Sequence, residues 1–253
     1  MFVKEILFIT VGVFGLQFLH EIGHFVMARF KNVKIGFPVP IPSLQIGTFG
    51  SITPLRSFPK NREDLFDVAS SGPIVTFVAS SILYAFGLSL TVNAPLDILN
   101  LYPAVPAALF KTSFFTGILT SILAPKIMLL PLAQPVPLHP ICCIAEVGLY
   151  TSALNLLPLG RTDGGRLSTS VFGPKSAGAL SLISLALIAV ICLTGKSVIL
   201  IFWGLFVTIL QRAPEIPTRD SASDLGEGRM TIYLGMLLMS IMTLVPFPGG
   251  SAL

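Results

Sequence analysis

Long apolar runs alternate along this chain with short polar connections rich in proline and glycine. Runs near 6–30, 68–92, 141–160, 177–194, 197–211 and 230–246 approach or reach the roughly 20 apolar residues with which a helix crosses a bilayer, and predict about six spans. A further stretch at 107–131 is broken by Lys111, Gly117, Pro125 and Lys126, and predicts a re-entrant or interfacial segment. After the first run, "KNVKIGFPVPIPSLQIGTFGSITPLRSFPKNREDLF" holds too much proline and glycine for helix. Within it "LQIGTFGSITPL" alternates, predicting a short β-hairpin near 44–54 that turns near Gly47–Gly50. The second run contains "SSGPIVTFVASS", whose small residues let helices approach closely. A helix from about Ile141 is expected to stop near Pro158, where "LGRTDGGR" turns the chain. Two closely spaced helices joined at "TGKS", a polar loop "QRAPEIPTRDSASDLGEGR" and a last span complete the order.

Composition turns these helices into a membrane protein. Hydrophobic residues make up 53% of the 253 and charged residues 11%, against about 25% charged in a soluble domain. Lipid must therefore be the solvent for much of the surface. The expected fold class is an all-α polytopic helix bundle, a single domain over 1–253 with a core at about 6–170 and accessory spans at about 177–246. The first run begins a few residues after Met1 and carries a polar cluster, so it does not read as a cleavable signal, and no transit peptide is visible before it. Cys142, Cys143 and Cys192 lack CxxC spacing and read as small buried thiols rather than a disulfide framework. A net charge of +4 does not suggest nucleic acid, because the basic residues follow topology rather than forming a patch.

Near the end of the first run stands "HEIGH", an H-E-x-x-H motif. On a helix, positions i and i+4 share a face, so His20 and His24 can present their imidazoles to one ion. Glu21 lies beside them, placed to act as general base on a water that the metal acidifies. In a soluble helix such a motif carries little weight. Inside a membrane span, ionisable side chains are costly and mark function by default.

A catalytic zinc takes three protein ligands and keeps one position open, so one ligand is missing. His139 stands in a loop, "PLHP", and reads as an interfacial side chain; Glu146 lies early in a span and reads as a polar contact inside the bundle. Asp163 in "RTDGG", where glycines allow close backbone approach, fits best. Topology agrees if 107–131 does not cross. The span at 141–160 then ends on the side to which the first span delivers the histidines. That arrangement puts Arg29, Lys31, Lys34, Arg56, Lys60, Arg62, Arg161, Arg166, Lys175, Arg212, Arg219 and Arg229, 12 of the 16 basic residues, on the same side. By the positive-inside rule it is the cytoplasmic or stromal one. A seventh crossing would break this charge rule.

Taken together, "HEIGH", "SGP" and "NLLPLGRTDGG" resemble the site-2 proteases, intramembrane zinc metalloproteases. The likeness is greatest to the plastid and cyanobacterial branch named for ethylene-dependent gravitropism-deficient and yellow-green mutants. "GTFGSITPLRSFPKNREDLFDVASSGP", "HPICCIAEVGLYTSALNLLPLGRTDGGR" and "QRAPEIP" are similar to that branch's blocks, so the resemblance runs from about 14 to 217. It implies that His20, His24 and Asp163 bind Zn²⁺ and that Glu21 is the catalytic base. Asn155 and Pro158 match the N-x-x-P-x-x-x-x-D-G motif, and Asn155 would orient substrate or stabilise the developing oxyanion. The hairpin resembles a membrane-associated β-element that holds unwound substrate as an added strand. Implied partners are membrane-anchored protein substrates and the lipid bilayer. The implied compartment is a plastid membrane, with a prokaryotic inner membrane as the alternative. Glu146 replaces an apolar position expected in this branch.

The expected activity is hydrolysis of a peptide bond in or beside a substrate's transmembrane segment. A polar cavity opening toward the histidine side is its corollary, because water must reach the site. A non-proteolytic scaffold or chaperone that keeps the fold is the alternative, and it would not need His20, Glu21, His24, Asn155 and Asp163 together. A metal transporter would need ligands on a path across the bilayer, and none is visible near the opposite face. A protease using Glu146 as third ligand requires the seven-span order.

Overall fold

The structure is a computed structural model that describes residues 2–43, 45–193, 198–210 and 215–250. The "TGKS" junction and Arg212 lie outside the described residues. The chain opens with helix α1 (Phe2–Phe30), followed by strands β1 (Val39–Ser43) and β2 (Gly47–Ile52) and helix α2 (Arg62–Val92). A compact connection holds α3 (Leu96–Leu99), β3 (Ala104–Pro106), a 3₁₀ turn at Ala107–Lys111, α4 (Phe114–Leu123), α5 (Pro125–Met128) and β4 (Pro135–Pro137). Four helices follow: α6 (Pro140–Leu156), α7 (Asp163–Leu193), α8 (Val198–Leu210) and α9 (Glu227–Leu244).

Among the described residues, α1 (over Glu5–Phe30), α2 and α7 are long and apolar enough to cross a membrane. The shorter α6, α8 and α9 stand at the other three expected places. Large apolar side chains such as Phe18, Phe25, Val78, Ile82, Leu187 and Leu238 are exposed along these helices, as lipid-facing surfaces require. Helix α2 packs against α1, α6 and α7, and α6 also meets α1 and α9. The inward faces meet in apolar clusters, one joining Phe66, Leu156, Leu167 and Tyr233, another joining Tyr84, Leu88, Phe110 and Cys142.

Local chemistry sets the helix ends. Asn61 caps α2, its side chain accepting from the Asp64 amide at 2.9 Å, with Glu63 and Asp64 in the first turn. His139, expected in a loop, caps α6 by accepting from the Ile141 amide, ahead of Pro140 at the first helical position, and its ring lies edge-on to Tyr102. Helix α7 is broken at Gly173 (φ 78°), just before Pro174. Arg62 satisfies the carbonyls exposed there, donating to Ser170 and Val171.

Segment 107–131 does not cross. Its longest helix, α4, has 10 residues, a length of about 15 Å against a hydrocarbon core of about 30 Å. It folds beside the end of α9, where the Phe114 amide donates to Val245 and the Phe247 amide to Lys111. On the opposite side, Lys31 pairs with Asp64 and Asp67, while Arg229 pairs with Glu63 and Asp67, tying the end of α1 to the starts of α2 and α9. The Arg219 and Asp220 amides bond Pro59 and Lys60 on that same side. These contacts gather the end of α1, the starts of α2 and α9 and the segment at 219–220 on one side of the fold.

Two details differ from the sequence expectation. The hairpin pairs Val39–Ser43 with Gly47–Ile52, so the turn precedes Gly47 instead of lying over Gly47–Gly50. Proline in "VPIPS" masked the first strand: it cannot donate to a ladder and is confined to edges and irregular pairings, and the register shifts between Pro40 and Pro42. The connection after α2, read as a proline-rich loop, contains the small antiparallel pair β3–β4 for the same reason.

Glu146 sits buried in α6 with one oxygen accepting from the Thr116 hydroxyl at 3.3 Å and the other without a partner among the described residues. It lies nine residues before Asn155 on one helix, about 13 Å along the axis, and stands apart from the cluster of His20, His24 and Asp163. Glu146→Met should keep full metal content. It should also leave thermal stability in detergent unchanged or raised by about 1 kcal/mol, because an unsatisfied buried acceptor is removed.

Candidate metal centre

His20 and His24 lie one turn apart in α1 and both are buried. The helix carrying them can touch α2 because neither partner has a side chain at the crossing. A carbon added to Gly23 would run into the backbone of Ser71 and Gly72, and one added to Gly72 would run into the His24 ring. The "SGP" segment is therefore the seat of the second histidine.

Asp163 arrives from a distant part of the sequence, at the end of the bundle where α6 stops and α7 begins. Helix α6 ends before Pro158, the chain turns through Gly160 (φ 49°), and Thr162 starts α7 by accepting from the Gly165 amide at 3.2 Å. Gly164 and Gly165 sit directly against the carbonyls of Leu156 and Gly160, where a side chain would collide with backbone. This tight return puts the Asp163 carboxylate in the first turn of α7, where the helix dipole favours negative charge.

The three groups meet around one point. Nε2 of His20 and Nε2 of His24 are 3.0 Å apart, and Asp163 Oδ2 lies 3.2 Å from the first and 3.4 Å from the second. Ligands at zinc bond lengths in a tetrahedron stand about 3.3 Å from one another. The donor set thus has the edge lengths of three corners of a zinc tetrahedron. The other ring nitrogens are already committed. His24 Nδ1 lies 2.8 Å from the Val68 carbonyl and must donate to it. His20 Nδ1 lies 3.2 Å from the Thr76 hydroxyl, whose own hydrogen goes to the Gly72 carbonyl at 3.1 Å. With both Nδ1 atoms donating, both Nε2 atoms present lone pairs beside a carboxylate. Such a concentration of buried acceptors calls for a cation. Among the described residues this is the one His/Cys/Asp/Glu group with that geometry.

Glu21 projects beside the ligands toward the hairpin. One oxygen accepts from the Ser51 hydroxyl, and the other from the Thr53 hydroxyl. Asn155 donates from Nδ2 to the Phe49 carbonyl at 3.3 Å, and Gly50 (φ 99°) presses directly on the same side chain. Arg166, one turn after Asp163, donates to the Thr53 carbonyl at 2.9 Å and to Glu215 at 2.6 Å. Glu21, Asn155 and Arg166 therefore each hold a different point of the segment from Phe49 in β2 to Thr53 just after it.

The cavity at the ligands is about 10 Å³, room for about one water. Its apolar wall includes Trp203, Phe206 and Val207 of α8 with Ile41 and Ile52 of the hairpin. A wider cavity of about 410 Å³ lies beside the first half of α7, lined by Arg62, Thr169, Ser181 and Glu215. Arg166 lines the first cavity and Glu215 the second, so their ion pair stands where the two approach. Sequence reasoning did not single out Gln17, Ser51, Thr53, Thr76, Arg166 or Glu215. Gln17 and Thr76 carried a usable signal, as polar residues one helical turn from Glu21 and Gly72 inside apolar runs.

Residues 8–194 match the profile of Peptidase family M50. The chain is 34% identical over 246 residues to a rice (Oryza sativa subsp. japonica) protein described as probable zinc metalloprotease EGY1, chloroplastic, covering 97% of this chain and 41% of the relative. It is 32% identical over 245 residues to the Arabidopsis thaliana protein of the same description, covering 97% and 44%. To the Arabidopsis thaliana probable zinc metalloprotease EGY2, chloroplastic, it is 30% identical over 240 residues, covering 95% and 41%. The chain thus spans about two fifths of the length of these relatives. No solved structure matches it.

Proposed function

The chain belongs to peptidase family M50, and on that premise we propose that it is an intramembrane zinc metalloprotease acting on membrane-anchored proteins. The observation that carries this reading is the triangle of His20, His24 and Asp163 ligand atoms at 3.0–3.4 Å, drawn from helices that sit far apart in the sequence. Zinc bound there supplies a Lewis acid for the scissile carbonyl and lowers the pKa of water. Glu21 takes the proton of the attacking water and returns it to the leaving amine. Asn155 turns its amide donor from the Phe49 carbonyl to the oxygen on which charge develops. The apolar wall of Trp203, Phe206 and Val207 from α8 keeps bulk water away from these groups.

A peptide bond inside a transmembrane helix is shielded by its own hydrogen bonds, so the substrate must unwind locally. Strand β2 belongs to a two-stranded sheet and can compensate those lost bonds by pairing with the extended substrate. Names of the relatives and the apolar helices support a plastid membrane as the location. The test is reconstitution with single-span membrane proteins from that compartment. Cleavage should appear with the native chain, fall below detection with 1,10-phenanthroline, and return when zinc is added back. Undiminished cleavage in the chelator would overturn the reading.

A further inference from the structure

We propose that Ser51 and Thr53 are positioning residues for the catalytic base, holding the two oxygens of the Glu21 carboxylate with one hydroxyl each. The proposal deepens the protease reading and rests on Glu21 being the base.

The two hydroxyls stand at positions i and i+2 of one extended segment and therefore face the same way. Each donates to a different oxygen of Glu21. Their directions are set from behind. Gln17, one turn before Glu21 on α1, donates from Nε2 to Ser51 Oγ at 2.7 Å, so the Ser51 hydrogen is directed to the carboxylate. Thr53 is fixed through its carbonyl by Arg166, which is itself held by Glu215. Arg166 lies one turn from Asp163 on α7. Thr53 thus couples the helix that carries the base to the helix that carries the third metal ligand.

This matters because Glu21 is only half-buried, and a free glutamate samples several side-chain rotamers. Catalytic groups need placement within about 0.5 Å. A carboxylate oxygen can accept two hydrogen bonds, so the hydroxyls orient Glu21 and still leave a lone pair for the water proton. From α1 itself the carboxylate receives only a 3.4 Å donation from Gln17 Nε2 to Oε1, so proteolysis depends on the orientation that the two hydroxyls add.

The test compares Thr53→Val, which keeps the shape and loses the hydroxyl, with Thr53→Ser, which restores it, beside Ser51→Ala and Glu21→Gln. In metal-free protein, the infrared difference between wild type and Glu21→Gln isolates the Glu21 carboxylate stretch. That band should shift in Thr53→Val and Ser51→Ala and return in Thr53→Ser. With zinc and a quenched fluorescent transmembrane peptide in detergent, kcat should fall about tenfold for each hydroxyl lost. KM and zinc content should be unchanged, and Thr53→Ser should recover the rate. An unmoved infrared band overturns the proposal, whether or not the peptide is cut. So does a loss confined to KM, an equal loss in Thr53→Val and Thr53→Ser, or a gain in kcat, which would make the strand an inhibitory cover. Full cleavage by Glu21→Gln would instead overturn the base assignment itself.

Discussion

Asp163→Ala, purified in detergent, should carry almost no zinc where the wild type carries about one ion per chain. Two imidazoles one turn apart on α1 leave half of a tetrahedron open, and the third edge set of 3.2 and 3.4 Å disappears with the carboxylate. Loss of a group that merely orients a ligand costs 10–100-fold in metal affinity, so loss of a ligand should cost more than about 100-fold. Metal analysis after dialysis against a weak chelator measures this without any substrate. The variant should stay folded, because Gly164 and Gly165 rather than Asp163 make the close packing against α6. Asn at this position, able to offer one oxygen without charge, should fall between the two. Full zinc in Asp163→Ala would remove it from the ligand set.

Glu21→Gln should give the opposite separation: full zinc and nearly no hydrolysis. The amide keeps the size of the side chain and one oxygen for the hairpin hydroxyls, but cannot take a proton. General base catalysis contributes about 10²–10⁴-fold, and the rate of cleavage of a transmembrane peptide should fall by that amount. Binding of the peptide should be preserved, so the variant is the proper control for substrate capture. Undiminished biological activity in Glu21→Gln would favour a scaffold that has kept the fold. The two variants together distinguish the group that moves a proton from the group that holds the ion.

The helices were largely legible because their signal is local. Apolar runs at 6–30, 68–92 and 141–160 correspond to α1, α2 and α6, and the breaks in 107–131 correspond to short helices that do not cross. The run expected from 177 corresponds to the part of α7 after its break at Gly173 and Pro174, whereas the separate helix before that break, from Asp163, was read as part of a turn. The hairpin was half visible. "GTFGSI" alternates, whereas "VPIPS" pairs with it only because its prolines tolerate an edge. Contacts of Thr53 with Glu21 and Arg166 had no signature, since a threonine near a proline in a loop has many uses.

By itself the sequence determined the solvent of this protein, the order of its helices and the pair His20 and His24, which share a face through one helical turn. Its basic residues also indicated the side on which Asp163 stands. Only the tertiary structure decided that Asp163, 143 residues from His20, closes on both imidazoles, and that one extended segment, from Phe49 to Thr53, binds Glu21, Asn155 and Arg166 at once. The physical reason is range. Periodicity and capping act within a few residues, whereas a metal tetrahedron and a held carboxylate depend on angstrom-scale packing between distant helices, set here by Gly23, Gly72, Gly164 and Gly165.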